Sequence, residues 1–562
     1  MRSAASILGA PRTSDIPVNA LRVTTAAEAA ARDQAAIAAG TASFELMLQA
    51  GTTAAAVILR DFATRLSHGV ALFAGSGNNG GDAYIVAAQL ARAGVVVRLH
   101  AAAPPRTPDA VRAMHLASPA LVHGAPTGHE RVVVDGLLGT GHRGALREPV
   151  LAACTRVALA RDGGATVIAL DVPSGLDATT GEIAEGSPAA HATLTFGTIK
   201  RGLLLSRGHA GRLVLLDIGL NGATDRDDGA WHLSNAHDLA RWLPPIAWNA
   251  HKGRRGRVAV VGGHEGMAGA VILATRAALA AGAGLAHAIV DAPSVAAVQL
   301  TVPQALAERW PVRAASRRAD APPSGSAAGA AAAGDGVERD TLRRCDALAV
   351  GPGLGRSARS SQLLERIVTD HRDRPLVLDA DALWLVAEVA NTLGTDSAAL
   401  LRHWTRHSRS VVCTPHEGEF ARLLGTIVPE AWDARVGALR EFAVRGGVTM
   451  LLKGTPTIVA TPDGGPIIVV PYGTPLLATG GSGDVLSGLI VALLGQGLAP
   501  LEATVCGATV HGRAAELATA RLGGIRGGTL EDVFEALPSA WRLLEHAVAY
   551  PPGVLADLPS PA

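Results

Sequence analysis

Apolar runs of five or six residues, rich in valine, isoleucine and leucine, alternate with longer alanine- and leucine-rich stretches along most of this chain. Short continuous apolar runs suit strands buried on both faces, and the longer stretches suit the helices that cross between them. The pattern therefore predicts parallel α/β architecture. In the first part, Gly69–Ala74 (GVALFA) is expected as a strand, Tyr84–Ala93 as a helix and Val95–His100 as the next strand. Arg131–Asp135 (RVVVD), a helix over Pro149–Ala160, Thr166–Asp171 (TVIALD) and Arg212–Asp217 (RLVLLD) continue the series. The rhythm restarts at Gly256 with RVAVVGG and runs to about Ala547.

Between the two series the pattern breaks. Asn221–Asp228 (NGATDRDD) is polar and turn-prone, and Trp231–Trp248 carries two prolines and three tryptophans. The expected layout is one domain over residues 16–225, a linker over 226–250 and a second domain over 251–549. Each is expected as a three-layer αβα unit. Residues 314–336 (AASRRADAPPSGSAAGAAAAGDG) contain small residues, Pro and Gly that cannot build a packed core, so they are expected as a flexible surface insertion. The first fifteen residues and the tail from Tyr550 are expected to fray, and there is no tandem repeat.

Composition narrows the function. The hydrophobic fraction is 48% and the charged fraction 18%, enough to fill cores and unlike a disordered chain. Fifty Lys and Arg against 49 Asp and Glu leave a net charge of +1, with no long-range field to attract nucleic acid or an anionic membrane. Cys154, Cys345, Cys413 and Cys506 lie far apart without a C-x-x-C pair, so small buried thiols in a reducing cytosol are expected, not a disulfide framework or zinc site. The N-terminal MRSAASILGAPRTSD lacks an apolar signal core. The apolar stretch Ala268–Ala288 is interrupted by Arg276, and Val485–Leu494 is too short to span a bilayer. A cytoplasmic protein is expected.

The candidate chemistry lies where apolar runs end. Ala478–Asp484 (ATGGSGD) precedes the helical run VLSGLIVALL. Closely spaced glycines let the backbone turn its N–H groups toward one anion, the helix N-terminus adds its dipole, and Asp484 stands beside them as a candidate base. Read alone, the same segment is equally a glycine-rich turn with Asp484 as a cap. Other strand ends join it: Lys453-Gly454-Thr455 after TMLLKG, His416, Glu417 and Glu419 in VCTPHEGE, the glycines of AVGPGLG (Ala349–Gly355), and Asp379 and Asp381 in LVLDAD. Ligands of parallel sheets bind at such carboxyl ends. In the first half, Gly75–Asp82 (GSGNNGGD), Asp135 with the glycine loop Gly136–Gly141, and Asp171 with Ser174 and Asp177 repeat the arrangement. Their amide, carboxylate, hydroxyl and backbone oxygens suit a hard cation of modest charge.

These motifs carry two resemblances. HKGRRGRVAVVGG (His251–Gly263), GMAGA, GPGLG, LDADAL, TPHEGE, LLKGTPT and TGGSGDVLSG together resemble the ADP/ATP-dependent NAD(P)H-hydrate dehydratase family of the ribokinase-like superfamily. The resemblance implies that Asp484 activates the C6 hydroxyl of a hydrated nicotinamide ring. It further implies that Ala270, Gly353 and His416 contact the hydrate, and that Lys453, Gly454, Thr455, Pro456, Thr457 and Gly483 contact ADP or ATP with Mg2+. GSGNNGGD, VDGLLGTG, LDVPSGLDATTG and TFGTIKRGLLL resemble the NAD(P)H-hydrate epimerase family, whose fold is Rossmann-like. That second resemblance implies K+ at Asn79, Asp135 and Ser174. Hydrate binding falls to Asn78, Asn79, Gly80, Gly81 and Asp82, to Gly139, Thr140, Gly141, His142, Arg143, Gly144 and Ala145, and to Asp171. Proton transfer falls to Asp135 or Asp171. Ala83 stands where that family commonly has glycine, and its methyl is expected to crowd the nicotinamide pocket. Ala268 and Ser482 are mild departures in the second half.

The combined expectation is a homo-oligomeric, bifunctional repair enzyme acting on NADHX and NADPHX. It would interconvert their R and S forms and dehydrate the S form with ADP. A sugar or hydroxymethylpyrimidine kinase carrying a non-catalytic N-terminal ligand-binding module is the competing reading.

Overall fold

The computed structural model describes residues 21–118, 126–220, 231–234, 239–247, 249–310, 340–406 and 410–544. The expected insertion at 314–336, the polar segment 221–228 and both frayed ends lie outside the described residues. The chain divides into two compact units, one over Leu21–His232 and one beginning at Leu233.

In the first unit a six-stranded parallel sheet has the order β3-β2-β4-β5-β6-β8. These strands are β2 (Val70–Ala74), β3 (Val97–Ala101), β4 (Val132–Gly136), β5 (Thr166–Leu170), β6 (Ala192–Phe196) and β8 (Arg212–Leu216). A separate short pair joins β1 (Leu21–Thr24) to β7 (Ile199–Lys200) in parallel, with Thr24 opposite Lys200. β2, β4 and β5 are buried along their whole length, the reason they read as unbroken apolar runs.

A short strand, β9 (Trp231–Leu233), follows the first sheet. In the second unit the strands are β10 (Arg257–Gly262), β11 (Leu285–Val290), β12 (Leu306–Arg309), β13 (Ala347–Val350), β14 (Leu376–Leu378), β15 (Val411–Cys413), β16 (Thr449–Leu452), β17 (Thr457–Ala460) and β18 (Ile467–Val470). They lie in the order β12-β11-β10-β13-β14-β15-β16-β17-β18. From β12 to β16 the pairing is parallel, but β17 and β18 return antiparallel, a departure from the uniformly parallel expectation. Residues 461–466 (TPDGGP) make that return possible: the Asp463 carboxylate accepts hydrogen bonds from the Gly465 N–H at 3.2 Å and the Thr461 hydroxyl at 2.5 Å.

Strand order reverses beside β2 and β4 in the first sheet and beside β10 and β13 in the second. Each reversal opens a crevice at the carboxyl ends of the strands. The helix Ser482–Gly495 packs against Ala268–Ala280 and over β10, β13 and β14. It approaches so closely that a Cβ on Gly488 would sit 2.1 Å from the Ala274 carbonyl oxygen. Residues 485–494 of that helix are all buried, and full burial of each large apolar one is worth roughly 1.5–3 kcal/mol. All four cysteines are free and buried. Among the described residues no helix is long and apolar enough to cross a membrane.

Candidate functional site

The first crevice is built on β2. The chain leaves the strand through Gly75-Ser76-Gly77 and enters a helix at once, over Asn78–Arg92. The sequence pattern placed this start at Tyr84, because Gly80 and Gly81 are poor helix formers. Packing overrides that propensity. A Cβ on Gly80 would lie 2.0 Å from the Gly75 carbonyl oxygen, and one on Gly81 would lie 2.5 Å from the end of the Met47 side chain. The helix's first turn thus presses on neighbours that only glycine tolerates.

A cavity of about 940 Å³ opens at this end of the sheet. Asn78, Asn79 and Asp82 line it from the helix, residues 139–143 and Ala145 from the loop after β4, and Asp171 from the loop after β5. Asp171 holds a left-handed backbone conformation (φ 62°), uncommon outside glycine and often found where a side chain is aimed for function. Its Oδ1 accepts from Lys200 Nζ at 2.5 Å and from the Phe196 N–H at 3.2 Å. Lys200 is itself buried and also donates to the Phe196 carbonyl at 2.8 Å.

Asp135 has a different place. It is fully buried, and its carboxylate accepts from the Ser174 hydroxyl (2.6 Å), the Ser174 N–H (2.9 Å) and the Leu137 N–H (3.2 Å). Burial raises its pKa while the Ser174 and Leu137 hydrogen bonds pull it back down. Asp135 and Ser174 do not line the cavity, whereas Asp171 does. Asn79 donates to the carbonyls of Leu138 (2.8 Å) and Leu170 (3.2 Å), and its buried Oδ1 has no hydrogen-bond partner among the described residues. Ala83 does not crowd the cavity as expected. It is absent from the lining and packs on the sheet, where a Cβ on Gly136 would meet its methyl at 2.6 Å.

Sequence reasoning missed several members of this site, of which Lys200 and Asp33 bear most on its charge. Lys200 lies inside the quoted TFGTIKRG segment but carried no motif of its own. Asp33, on the helix Ala26–Ala38, also lines the cavity. Burial raises its pKa, Lys200 opposes that rise and Asp171 adds to it.

The second crevice gathers carboxylates around one cation. Lys453, just past β16, places Nζ 2.8 Å from Asp379 Oδ1 and 3.9 Å from Glu419 Oε2. The Ser487 hydroxyl holds the other Asp379 oxygen at 2.6 Å. Asp381 anchors the glycine turn after β13, accepting from the Gly355 N–H at 2.9 Å and the Arg356 guanidinium at 2.8 Å. Asp484 is the third residue of the helix Ser482–Gly495. Burial raises its pKa first, then the Asp379 charge. Lys453 pulls it down, Asp381 and Glu419 push it up, and it settles at about 7. Burial disfavours the Lys453 ammonium, but the Asp379 and Glu419 charges outweigh it and hold the lysine above its ordinary pKa. A Cβ on Gly483 would lie 3.0 Å from Lys453 Nζ, so the helix mouth and the lysine share one space. Such an arrangement can accept a proton and bind an anion within a few ångströms.

Of the other expected residues, Ala270 and Gly353 come together, since a Cβ on Gly353 would lie 3.2 Å from the Ala270 methyl. His416 caps the helix Glu417–Leu424, its Nδ1 accepting from the Gly418 N–H at 3.0 Å, and its Nε2 is 3.5 Å from Glu419. Gly454, Thr455 and Pro456 form the turn into β17, and the Thr457 hydroxyl donates to the Gly454 carbonyl at 3.1 Å. Lys453 itself turns inward to the carboxylates. Behind the glycine loop, burial lowers the pKa of His511 to about 4, and its Nε2 lies 3.5 Å from the Ser482 hydroxyl.

Comparison with known proteins bears on both crevices. The NAD(P)H-hydrate dehydratase family model matches residues 258–539, and that of the YjeF-related protein N-terminus matches residues 43–202. The bifunctional NAD(P)H-hydrate repair enzyme of Escherichia coli (strain K12) is 33% identical over 515 residues, 90% of each chain. The chain belongs to the bifunctional NAD(P)H-hydrate repair enzyme family. Another member, from Moorella thermoacetica, is 34% identical over 90% of this chain and 94% of its own length. A solved structure of ADP/ATP-dependent NAD(P)H-hydrate dehydratase from Bacillus subtilis is 26% identical, covering 55% of this chain and 98% of that one, with a TM-score of 0.43. The repair-enzyme relatives run through both crevices, so each half of this chain has its counterpart within single relatives.

Proposed function

We propose that this chain repairs hydrated nicotinamide nucleotides in two steps, its N-terminal half interconverting the R and S hydrates and its C-terminal half dehydrating the S form with ADP. The observation that carries the second step is the place of Asp484, in the first turn of the helix Ser482–Gly495 beside the Lys453–Asp379 pair, where burial raises its pKa to about 7. A base with that pKa is half ionised at neutral pH, where proton transfer is most effective. Asp484 takes the proton of the ring C6 hydroxyl as that oxygen attacks the terminal phosphorus of ADP, and AMP departs. The first N–H groups of the helix Ser482–Gly495 offset the charge gathering on the phosphoryl oxygens. Phosphate is then a good leaving group where hydroxide was not. It leaves C6 as the ring nitrogen donates its electron pair, and loss of a C5 proton restores the dihydropyridine. Hydrate and ADP thus become NAD(P)H, AMP and phosphate. Gly454, Thr455, Pro456 and Thr457 are assigned to the nucleotide, and Ala270, Gly353 and His416 to the hydrate.

In the N-terminal half Asp171 is the better proton-transfer residue, since it lines the cavity while the Asp135 carboxylate is committed to Ser174 and Leu137. Asn79 Oδ1, Asp135 and Ser174 supply an oxygen set that fits K+, and the unpartnered Asn79 Oδ1 is the atom that a cation would satisfy. Bound there, K+ would supply positive charge that fixes the two loops. Mg2+ has no comparable protein cage, because among the described residues no group of three or more His, Cys, Asp or Glu is disposed to hold a metal. Nucleotide phosphates would carry most of its coordination.

The test is to give the purified protein ADP and a mixture of NADHX epimers. Full conversion to NADH, read by near-ultraviolet absorbance, is expected. Conversion of the S form alone would make the N-terminal half a binding module, a stable phosphorylated hydrate would make the C-terminal half a kinase, and absence of NADH formation would refute the reading.

A further inference from the structure

Inverting C6 of the hydrate by loss and return of its oxygen calls for two proton-handling groups, one where the oxygen leaves and one where water returns on the other face. Four carboxyls line the N-terminal cavity, those of Asp33, Asp82, Glu148 and Asp171, and two of them, Asp82 and Asp171, stand on the strand-end loops and helix that carry the motifs. Asp171 is tied to the buried Lys200 ammonium at 2.5 Å. Asp82, on the Asn78–Arg92 helix, lines the same cavity, is 9% exposed, and makes no side-chain hydrogen bond or ion pair among the described residues. A buried polar group without a partner costs free energy unless something it binds repays it.

We propose that Asp82 is the general acid of the N-terminal site, protonating the departing C6 hydroxyl, while Asp171, ion-paired to Lys200, takes the proton from the returning water. This rests on reading that half as a hydrate epimerase. The step balances. Asp82 gives its proton to the hydroxyl, the C6–O bond breaks with its electron pair, and water leaves. The ring nitrogen lone pair forms a C6=N double bond. Solvent water then adds to the other face and gives its proton to Asp171. A proton passing from Asp171 back to Asp82 through solvent resets the site.

The surroundings favour this division of labour. Burial, then the Asp171 and Asp33 carboxyls, push Asp82 well above the usual carboxylate range, and Lys200 opposes them only in part. Asp171 has the Lys200 ammonium at 2.5 Å while Asp82 has no cation within ion-pair distance among the described residues, so the two carboxyls stand in the unlike surroundings that suit an acid and base pair. Lys200 is a positioning residue here. It touches Asp171, and its place is set by the β1–β7 pairing opposite Thr24, whose hydroxyl is 2.7 Å from that of Thr198.

The experiment follows inversion of pure R-NADHX by the full-length chain, with hydrate affinity measured in parallel. Asp82→Asn, of nearly the same shape, is expected to lower the inversion rate by about 10²–10⁴ with little change in affinity, while Asp82→Glu recovers part of it. In heavy-oxygen water, each inversion by the unmodified chain is expected to place one solvent oxygen on C6. Near-full turnover by Asp82→Asn, or loss of affinity and rate together, would overturn the acid role. Inversion that keeps the original oxygen would overturn it too, because the ring C–N bond would then be the one that opens. If the unmodified chain inverts neither epimer, the epimerase reading itself fails and takes the proposal with it.

Discussion

The two crevices solve one electrostatic problem in opposite ways. Each places several carboxylates around a single lysine at the carboxyl ends of parallel strands. In the N-terminal crevice Lys200 gives itself to the prospective base, Asp171, at 2.5 Å, and only partly opposes the burial that raises the Asp82 pKa. In the C-terminal crevice Lys453 gives itself to bystanders, Asp379 at 2.8 Å and Glu419 at 3.9 Å, and leaves Asp484 poised at about 7. The lesson is that the partner chosen by one ammonium sets how far the remaining carboxyl rises above its ordinary pKa, and so which reaction the cluster serves.

The strongest way to break this comparison is Asp484→Asn. Dehydration of S-NADHX should slow by about 10²–10⁴, the range for losing a general base, while R-to-S inversion proceeds unchanged. Stopped assays that separate the epimers would show both. A dehydration rate near that of the unmodified chain would move the base to Asp379 or Asp381.

Lys453→Met probes the same cluster less severely. Asp484 accepts a proton only when ionised, so the unmodified dehydration rate should rise with pH through about 7 and then level off. The Lys453 charge lowers the Asp484 pKa, so removing it should move that midpoint upward. Each unit of displacement costs about tenfold in rate on the acid side. Measuring kcat against pH decides the matter. An unmoved midpoint with a raised KM for ADP would return Lys453 to the nucleotide-contact role that its strand-end position first suggested.

Much of this was legible because parallel strands announce themselves as apolar runs and put their chemistry where those runs stop. The positions of Asp171 and Asp379 follow from that rule, and Asp484 follows from the glycine turn that opens its helix. What was illegible depends on contacts between distant segments. Nothing local in residues 195–202 marks Lys200 as the partner of Asp171, and nothing near Asp33 marks it as lining the same cavity. The helix start at Asn78 was hidden because propensity penalises Gly80 and Gly81, while the close packing on Gly75 and Met47 that requires them lies outside any local window. Ala83 misled for a similar reason. Its methyl lies against Gly136 beneath the helix, a direction that a motif comparison does not contain. The β17–β18 return was different, since residues 461–466 carry ordinary hairpin signals that the dominant α/β rhythm overshadowed.

The smallest predicted effect tests the walls of the crevices. Part of the N-terminal cavity wall is the helix Ala26–Ala38, which precedes the segment matched by the family model. Its start is fixed by a capping box: the Thr25 hydroxyl accepts from the Glu28 N–H at 3.1 Å, and the Thr25 N–H donates to the Glu28 carboxylate at 2.7 Å. Thr25→Ala removes one of these bonds and should destabilise the helix by about 0.5–2 kcal/mol, lowering the unfolding midpoint of the first unit. The reacting carboxyls stay in place, so the KM for R-NADHX should rise modestly while the saturated inversion rate holds. S-NADHX dehydration should not change, because the carboxylates around Lys453 belong to the other compact unit. A fall in the saturated inversion rate would instead mean that this helix, through Asp33, takes part in setting the charge of Asp82 and Asp171.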